Sequence, residues 1–370
     1  MTAVRSLAVN CGSSSLKYAV FDGRGAEEDE VVRGTIDRVG TVVPDHAAAV
    51  HAMVDALDAR GVVPDVVGHR VVHGGVEHTS PRRVDAGLLA SLEALVPFAP
   101  LHLPPEILGI RAAAARWPQI AQVACFDTAF HATLAEAASR YAIPERLYEA
   151  GLRKYGFHGL SYEYVVAALG ASTLGRAVIA HLGNGCSMVA VCDGKSVDTT
   201  MGFTPSAGLV MGTRAGDVDP GLLLYLVEQG YDGLALDGVI NREGGLLGLS
   251  GTTADVRDLL DRRASDPRAE RAIDVFVWSA RKWVGAMAAA LGGIDSLVFT
   301  GGIGEHAAPV RAAVSAGLGH LGVEIDASRN ETNAPVISAS GARCTVHVVR
   351  TDEERIVARH ARSVAGASSL

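Results

Sequence analysis

The chain has 370 residues, 48% of them hydrophobic, so it is long enough to bury substantial cores in two domains. A small disulfide-stapled scaffold and a disordered tail are thereby excluded. Lys and Arg number 33 against 41 Asp and Glu. The formal net charge of -8 argues against broad electrostatic binding to nucleic acid or to an anionic membrane.

The cysteines and the N-terminus bear on the compartment. The five cysteines are scattered and include no Cys-x-x-Cys pair, which favours a reducing compartment over a disulfide framework or a zinc site. Residues 1–10 contain no sustained apolar segment, and no uncharged apolar run approaches the roughly 20 residues that span a bilayer. We therefore expect a cytoplasmic protein without a membrane anchor.

Short apolar runs alternate with Ala- and Leu-rich stretches along the chain. The runs predict strands at 6–10, 16–21, 66–72, 120–126, 177–182, 187–192 and 296–300. The stretches predict helices at 46–60, 88–96, 106–117 and 269–291. With 42 glycines and only 5% aromatic residues, this alternation indicates an α/β protein with many tight turns. The segment 363–370 is rich in small residues and is expected to be a frayed tail.

One internal repeat suggests a duplication. A shift of 171 positions aligns residues 10–23 with residues 181–194. The identical positions in the first copy are Gly12, Ala19, Val20, Asp22 and Gly23. Each copy predicts a hairpin: a strand, a Gly-rich turn, a second strand and a tight Asp-Gly turn. One interpretation is a chance similarity between two unrelated hairpins. The alternative is a duplicated α/β domain with a cleft between the halves, as in actin, the sugar kinases and the chaperone ATPases.

Two Gly-rich turns carry groups that bind phosphate. The segment from Asn10 to Lys17 offers backbone N–H groups, hydroxyls and one ammonium, but lacks the spacing of a Walker A loop. The pair Asn184-Gly185 is also typical of an ordinary hairpin turn. Each turn alone is compatible with a purely structural role.

Two arginines are candidates for binding an anion. Arg70 lies inside an apolar strand, and a buried guanidinium is costly unless an anion, structural or substrate, pairs with it. Arg214 lies between glycines, where its planar fork suits phosphate or carboxylate, although a loop pair with Asp217 would explain it equally well. His69 and His73 could share a face as metal ligands, but packing histidines are the simpler interpretation because no third ligand is apparent.

Further candidates follow strands or occupy turns. Asp127 comes directly after an apolar run, where ligand sites of α/β proteins lie; a helix N-cap is the alternative. His158 stands in a Gly-flanked turn. Residues 299–305 predict a strand, a Gly-rich turn and a helix that would suit a nucleotide. Glu353 and Glu354 are more typical of a solvated helix start.

In chain order these segments resemble the acetate kinase family, from Asn10 to about Ala358. The motifs are Asn-Cys-Gly-Ser-Ser-Ser-Leu-Lys, Gly-His-Arg-Val-Val-His-Gly-Gly, Phe-Asp-Thr-Ala-Phe-His, Tyr-Gly-Phe-His-Gly, His-Leu-Gly-Asn-Gly, Asp-Thr-Thr-Met-Gly-Phe-Thr-Pro and Met-Gly-Thr-Arg-Ala-Gly-Asp-Val-Asp-Pro. The resemblance implies two duplicated actin-like (ribonuclease H-like) domains, 1–128 plus 353–370 and 129–352, with the active site in the cleft between them. It also implies a homodimer and reversible phosphoryl transfer between ATP and acetate, giving ADP and acetyl phosphate, with Mg²⁺ required and Mn²⁺ as a substitute.

The resemblance also assigns roles residue by residue. The catalytic residues would be Asp127, His158 and Arg214. The acyl substrate would meet Arg70, Val72, Leu101, Phe157 and Pro205. The nucleotide would meet Lys17, His181, Asn184, Gly185, Asp255, Arg257, Gly302, Ile303, Gly304 and His306. The metal would be held by Asn10 and Glu353. His306 and Asp352 depart from the family pattern, which usually has Asn at both positions.

The chemistry agrees with this division of roles. Acetate is ionised at neutral pH, so the nucleophile needs no general base, and the difficulty is repulsion between two anions. We therefore expect Asp127 to position metal or arginine rather than to remove a proton. Propionate or another short-chain acid is the nearest alternative substrate, because one methylene is worth only about 1–3 kcal/mol of discrimination. A sugar kinase is a less favoured alternative, because its hydroxyl substrate would need a general base and a polar pocket. A non-catalytic nucleotide sensor is another alternative, but it would have no need of Arg70, Arg214 and His158.

Overall fold

The computed structural model describes residues 3–12, 14–24 and 27–367, and the chain divides into two compact units. Unit 1 comprises Met1–Ala132, Gly159–Tyr164 and Asp352–Leu370. Unit 2 comprises Thr133–His158 and Val165–Thr351. Each unit contains one β-sheet with helices packed against it.

The secondary structure follows the predicted alternation. The strands are β1 (Val4–Cys11), β2 (Ser15–Arg24), β3 (Glu27–Asp37), β4 (Val66–Val71), β5 (Arg82–Arg83), β6 (Ala121–Phe126), β7 (Ala177–Leu182), β8 (Cys186–Cys192), β9 (Lys195–Thr199), β10 (Ser296–Thr300) and β11 (Thr345–Val348). The α-helices are α1 (His46–Asp58), α2 (Ala86–Ala94), α3 (Leu103–Arg116), α4 (Glu136–Ser139), α5 (Glu145–Glu149), α6 (Gly159–Leu169), α7 (Ala171–Leu174), α8 (Pro220–Glu228), α9 (Gly233–Asp237), α10 (Gly245–Ser250), α11 (Val256–Arg262), α12 (Pro267–Leu291), α13 (Gly301–His306), α14 (Ala308–Ser315), α15 (Ala327–Glu331) and α16 (Glu353–Ala367). Short 3₁₀ turns occur at Val96–Phe98, Ala129–Thr133 and Gly319–Leu321, and a π-helical turn at Gly238–Arg242.

The sheet of unit 1 has the strand order β3-β2-β1-β4-β6-β5. The first three strands form an antiparallel meander, while β4 runs parallel to β1 and β6 parallel to β4. One core packs residues of α1 and α3 against apolar side chains of β1 and β2. A second core packs α16 against alternate residues of the same strands, so helices cover both faces, as parallel strands require.

The sheet of unit 2 has the order β11-β10-β7-β8-β9. Strands β7, β8 and β9 form an antiparallel meander, β10 runs parallel to β7, and β11 runs parallel to β10. Strand for strand, β7, β8, β9, β10 and β11 repeat the arrangement of β1, β2, β3, β4 and β6. The duplicated actin-like α/β fold expected from the sequence is therefore confirmed.

Helix α12 shows why these sequences form their elements. Asp266 accepts a hydrogen bond from the Arg268 N–H, and Pro267 occupies the first turn, where no N–H partner is required. Buried side chains recur at helical spacing along one face, from Ala269 through Phe276 to Met287. The helix ends at Gly292, whose φ of 68° is unfavourable for other residues. The resulting apolar face packs against β7, β8 and β9.

The predicted strands and helices are confirmed to within a few residues at each end, with two corrections. The supposed frayed tail 363–370 is helical as far as Ala367, because α16 is anchored by buried Ala361 and by the contact of Arg362 with Glu28. Residues 368–370 lie outside the described residues. The turn predicted at Asp22-Gly23 is also wrong, since both residues lie inside β2 and pair with β3. Only the second copy has the turn, at Asp193-Gly194, where both residues have positive φ.

Among the described residues, no helix is both long and apolar enough to cross a membrane.

Candidate active site

In unit 1, three predicted site residues lie at one edge of the sheet. Asn10 is near the end of β1, Arg70 is near the end of β4, and Asp127 directly follows β6. Because β1, β4 and β6 are parallel, their carboxyl ends meet at the same edge, the usual place of ligand sites in such sheets.

Arg70 is the centre of this cluster. Its side chain is 14% exposed, and Nη2 donates to Oδ2 of the fully buried Asp127 at 2.6 Å. Nη1 lies 3.5 Å from Oδ1 of Asn10, and Nε lies 3.8 Å from a carboxylate oxygen of Glu353. The buried anion required by an arginine in an apolar strand is therefore Asp127.

Glu106 is a member of the cluster that our sequence analysis missed. Its side chain is 1% exposed, Oε2 accepts the Val72 N–H at 3.0 Å, and Oε1 lies 3.7 Å from Arg70. Burial raises the pKa of Glu106 to about 8, against the lowering influence of Arg70. The signal was its spacing: Leu103, Glu106, Ile107 and Ile110 all lie on the buried face of α3, and a charged group on such a face needs a reason.

Glu353 begins α16 and is not a solvated helix start, because its side chain is 19% exposed. Burial, followed by the negative charge of Asp127, raises the pKa of Glu353 to about 7, while Arg70 acts in the opposite direction. The neighbouring Asp352 accepts from the Arg355 N–H and pairs with Arg33. Asp at position 352 thus caps the helix that presents Glu353.

Lys17 belongs to the same unit. It pairs with Asn10 across the β1–β2 hairpin, and its positive charge lowers the pKa of Glu353. Around Arg70 the cluster holds three carboxylates, those of Glu106, Asp127 and Glu353. These three carboxyl groups outnumber the cationic side chains of Arg70 and Lys17, and burial is the main cause of the raised pKa values of Glu106 and Glu353.

In unit 2, His158 has a strained backbone immediately before α6. Its φ of 60° lies in the left-handed region, which is uncommon for residues other than glycine and is typical of functional sites. Its Nδ1 lies 2.8 Å from the hydroxyl of buried Ser187, and its ring stacks on His181 with centroids 4.2 Å apart. The imidazole is thus held in one orientation.

Arg214 and the Asn184-Gly185 turn lie beside these histidines. A Cβ on Gly185 would be 3.5 Å from both Arg214 Nη1 and His158 Nε2, so glycine allows both side chains to approach the turn. Arg214 Nη1 donates to the Pro205 carbonyl at 3.0 Å. Asn184 Oδ1 lies only 2.1 Å from the position that a Cβ of Gly212 would take, so these two loops are tightly packed.

A cavity of about 680 Å³ lies in unit 2, within the usual size range of small-molecule sites. Six of the residues expected to meet the nucleotide line it: Asn184, Asp255, Arg257, Gly302, Ile303 and His306. Gly304 is buried, whereas the side chain of His306 is 75% exposed.

Asp255 forms one wall of the cavity. Its carboxylate caps α11 by accepting the Arg257 N–H and also pairs with the Arg257 guanidinium at 2.7 Å. The hydrogen bond from that guanidinium lowers the pKa of Asp255. The opposite charges of Asp255 and Arg257 therefore offset each other at the cavity wall.

The residues expected to meet the acyl group differ in exposure. Val72 and Phe157 are buried, at 3% and 1%. Leu101, just before α3, is 50% exposed, and Pro205 is half-buried. Val72 and Leu101 belong to unit 1, and Phe157 and Pro205 to unit 2.

The alternative of a histidine metal site finds no support. His69 Nε2 donates to Gln122 Oε1 at 2.8 Å, and burial lowers the pKa of both His69 and His73 to about 4, as for packed neutral imidazoles. In the parts of the chain that the structure describes, no group of three or more His, Cys, Asp or Glu side chains is placed to hold a metal ion.

Comparison with known proteins shows the family of the chain. Residues 5–359 match the Acetokinase family. The chain belongs to the acetokinase family. Its members are kinases that transfer phosphate to a carboxylate, and they use ATP and ADP.

Relatives of the family are similar over nearly the whole length. An acetate kinase of Micrococcus luteus is 45% identical, covering 95% of this chain and 97% of that protein. One of Nitrobacter hamburgensis is 42% identical, covering 97% and 95%. The crystal structure of Porphyromonas gingivalis acetate kinase superposes with a TM-score of 0.89 at 36% identity, covering 98% and 100% of the two chains. A propionate kinase from Francisella tularensis superposes with a TM-score of 0.87 at 34% identity, covering 98% and 100%.

Proposed function

We propose that this protein catalyses reversible phosphoryl transfer between ATP and acetate, giving ADP and acetyl phosphate. The observation that carries the proposal is the buried Arg70–Asp127 pair, at a sheet edge of a chain that belongs to a family of carboxylate kinases. Curated relatives of 45% and 42% identity are named acetate kinase, which supports acetate as the acid.

In this proposal Arg70 binds the acetate carboxylate. A carboxylate oxygen attacks the γ-phosphorus, the bond from that phosphorus to the β-bridging oxygen breaks, and ADP leaves with the electron pair. No proton is gained or lost, so no general base is needed. This suits Asp127, whose carboxylate is already committed to Arg70 at 2.6 Å and so positions the guanidinium.

Arg214 and His158 are the catalytic groups we assign to the transferring phosphoryl. Both lie against Gly185, and the stack of His158 on His181 restrains the imidazole. Cationic and N–H donors fixed before reaction stabilise charge on the equatorial oxygens without reorganisation. We assign the nucleoside to the cavity lined by Asp255, Arg257 and Ile303.

Magnesium fits the residues of unit 1. Asn10 and Glu353 supply oxygen donors of the kind Mg²⁺ prefers, and the cluster around Arg70 has more carboxylates than cationic groups. When bound, the ion would offset negative charge on the transferring group. We propose Asn10 and Glu353 as its protein contacts, since Mg²⁺ at such sites is usually held by one or two protein groups and the substrate phosphates.

Propionate is the second candidate acid. It is favoured by the likeness to the Francisella propionate kinase, with a TM-score of 0.87. Val72 is a buried apolar residue two positions after Arg70, and its N–H is bound by Glu106. We assign Val72 to the wall that meets the methyl group. A single added methylene would be disfavoured there by only about 1–3 kcal/mol.

We also propose a homodimer formed through an apolar face of unit 2. Helices α8 and α9 carry large hydrophobic side chains that are 48–72% exposed: Leu222, Leu224, Tyr225, Val227 and Leu234. Contiguous apolar patches of this kind mark interaction surfaces. A second copy of the chain is the occupant that the family resemblance implies.

The cytoplasm remains our proposal for the compartment. Cys11, Cys125, Cys186, Cys192 and Cys344 are all free thiols. Free thiols of this number fit a reducing environment.

The proposed reaction is tested with purified protein, Mg²⁺-ATP and hydroxylamine, which traps acyl phosphate as a coloured hydroxamate. We expect kcat/KM for acetate to exceed that for propionate by about tenfold, with butyrate lower still. Propionate ahead of acetate would transfer the assignment to the second candidate. ATP binding without product from any of the three acids would contradict kinase activity and leave a nucleotide sensor.

A further inference from the structure

Arg311, in α14, is a fully buried arginine that has no part in the site described above. Its side chain is 0% exposed, and it forms no ion pair within the described residues. Burial alone lowers the pKa of Arg311. A guanidinium withdrawn from water without a counter-charge is costly unless all its donors are satisfied.

All five N–H groups of Arg311 do find acceptors. Nη1 donates to the carbonyls of Gly304 at 2.8 Å and Glu305 at 2.9 Å. Nε donates to Oδ1 of Asn330 at 2.8 Å, and Nη2 donates to the Asn330 carbonyl at 2.7 Å. Nη2 also donates to Oδ1 of Asn333 at 2.6 Å. One side chain thus joins α13, α15 and the turn after α15.

The α13 end of this network leads directly to the nucleotide cavity. Gly304 and Glu305 belong to the same short helix as Gly302, Ile303 and His306, which line the cavity. Helix α13 has only six residues and too few internal hydrogen bonds to hold its own position. The two hydrogen bonds from Arg311 therefore help to fix the position of the lining residues, together with the packing of α13 against β7, β10 and α14.

We propose that Arg311 is a positioning residue for nucleotide binding, which holds α13 from behind while itself touching no substrate. This rests on the proposed assignment of the nucleotide to that cavity. Lysine cannot replace the guanidinium, because it has three donors on one atom instead of five on a planar fork.

Asn333 supports the same network and allows a mild test. Its backbone has a φ of 51°, which glycine adopts without strain, and it is exposed on the surface. Asn333→Gly therefore removes one of the two acceptors of Nη2 with little risk to folding, whereas Asn333→Asp keeps an acceptor oxygen there.

Arg281 is a matched control. Its guanidinium also donates to backbone carbonyls, those of Ala313 and Val314 at the end of α14, but it does not line the nucleotide cavity. Arg281→Met removes an arginine with similar backbone contacts from the same unit.

The experiment measures the ATP dissociation constant by calorimetry, the KM values for ATP and acetate, and the melting temperature of each variant. We expect Arg311→Lys to raise the dissociation constant and KM for ATP by about tenfold or more, and Asn333→Gly by about threefold. The KM for acetate at saturating ATP should change less than about twofold. The Asn333→Asp variant should have the ATP affinity of the wild type. The Arg281→Met variant should have a lower melting temperature but an unchanged ATP affinity.

Unchanged ATP affinity in both Arg311→Lys and Asn333→Gly, with a wild type that binds ATP, would overturn the inference. If Arg311→Lys does not fold, the contrast between the two Asn333 variants decides alone, and equal ATP affinity in both overturns it. Equal loss of ATP and acetate affinity would also count against it, since it would indicate general loosening. A wild type that binds no ATP would instead refute the proposed nucleotide site.

Discussion

Replacing Glu106 with glutamine should change how the stability of this protein depends on pH. Glutamine has nearly the same shape and can still accept the Val72 N–H, but it carries no charge beside Arg70 and Asp127. Burial raises the pKa of Glu106 from 4.5 to about 8, so the folded protein holds this proton more tightly than the unfolded chain does.

The sign and size of the effect follow from that difference. Between pH 4.5 and about 8 the folded state retains a proton that the unfolded state has lost, so the wild type loses stability as the pH rises. Each pKa unit corresponds to about 1.4 kcal/mol, which gives an upper limit of about 5 kcal/mol for the full range. Glutamine does not titrate and removes this loss.

The assay is urea unfolding of the wild type and Glu106→Gln at a series of pH values from about 5.5 to 8.5, in EDTA and without substrates. At pH 5.5 the variant should already lead by about 1 kcal/mol, because the unfolded pKa of Glu106 is 4.5. The variant should gain about 1 kcal/mol per pH unit over the wild type and level off above pH 8. Glu149→Gln, at an exposed position, controls for the loss of one negative charge. A difference between Glu106→Gln and the wild type that does not change with pH would refute the reasoning.

Three further predictions concern the site and the surface. Asp127→Asn removes the charged partner of Arg70 and should lower kcat/KM for acetate about 100-fold in the hydroxamate assay; near-normal turnover with unchanged Mg²⁺ dependence would contradict its positioning role. Val72→Ala enlarges the proposed acyl pocket and should raise the ratio of kcat/KM for propionate over acetate about tenfold, whereas an unchanged ratio would remove Val72 from that pocket. Leu224→Glu places a charge on the exposed apolar face and should convert a dimer to a monomer in light scattering, and a persistent dimer would assign the interface elsewhere.

Much of the fold was predictable because apolar runs of strand length recur through the chain. Strand β3 was missed, since Glu27–Asp37 is dominated by charged residues and lacks the apolar alternation of a half-buried strand. The charged side chains of β3 form ion pairs with residues that are distant in the sequence, so no local pattern indicates them. Glu28 contacts Arg355 and Arg359 of α16, more than 300 residues away in the chain.

The same long-range contacts explain the wrong prediction for the C-terminal segment. Small residues such as Ala365 are typical of a tail, but here Ala365 packs with Ala361 against the sheet. A Cβ on Gly68 would lie 2.7 Å from a Val357 methyl carbon, which shows how near α16 comes to β4. Only the folded structure distinguishes a packed helix from a tail in this segment.

The site was predictable where a residue follows a strand. Asp127 was found because it follows a strand, Arg70 because a charged side chain in an apolar strand needs an anion, and Asn10 because it begins a Gly-rich turn. The parallel strands bring the three residues to one edge of the sheet. Glu106 and Arg311 were not found, since each is a charged residue on a helix and its burial depends on what packs against that helix. Helical spacing could have indicated Glu106, but Arg311 is satisfied by backbone carbonyls and asparagines that leave no sequence signal.

The most direct test of the proposed reaction uses acetate labelled with ¹⁸O in both carboxylate oxygens, together with Mg²⁺-ATP and the purified protein. Direct attack by the carboxylate predicts acetyl phosphate with one ¹⁸O bonded to phosphorus, seen as an isotope shift in the ³¹P NMR spectrum. The same label should be absent from any free phosphate formed by ATP hydrolysis. Acetyl phosphate without the ¹⁸O–phosphorus bond, or no acetyl phosphate while ATP is bound, would contradict phosphoryl transfer to the acetate bound by Arg70.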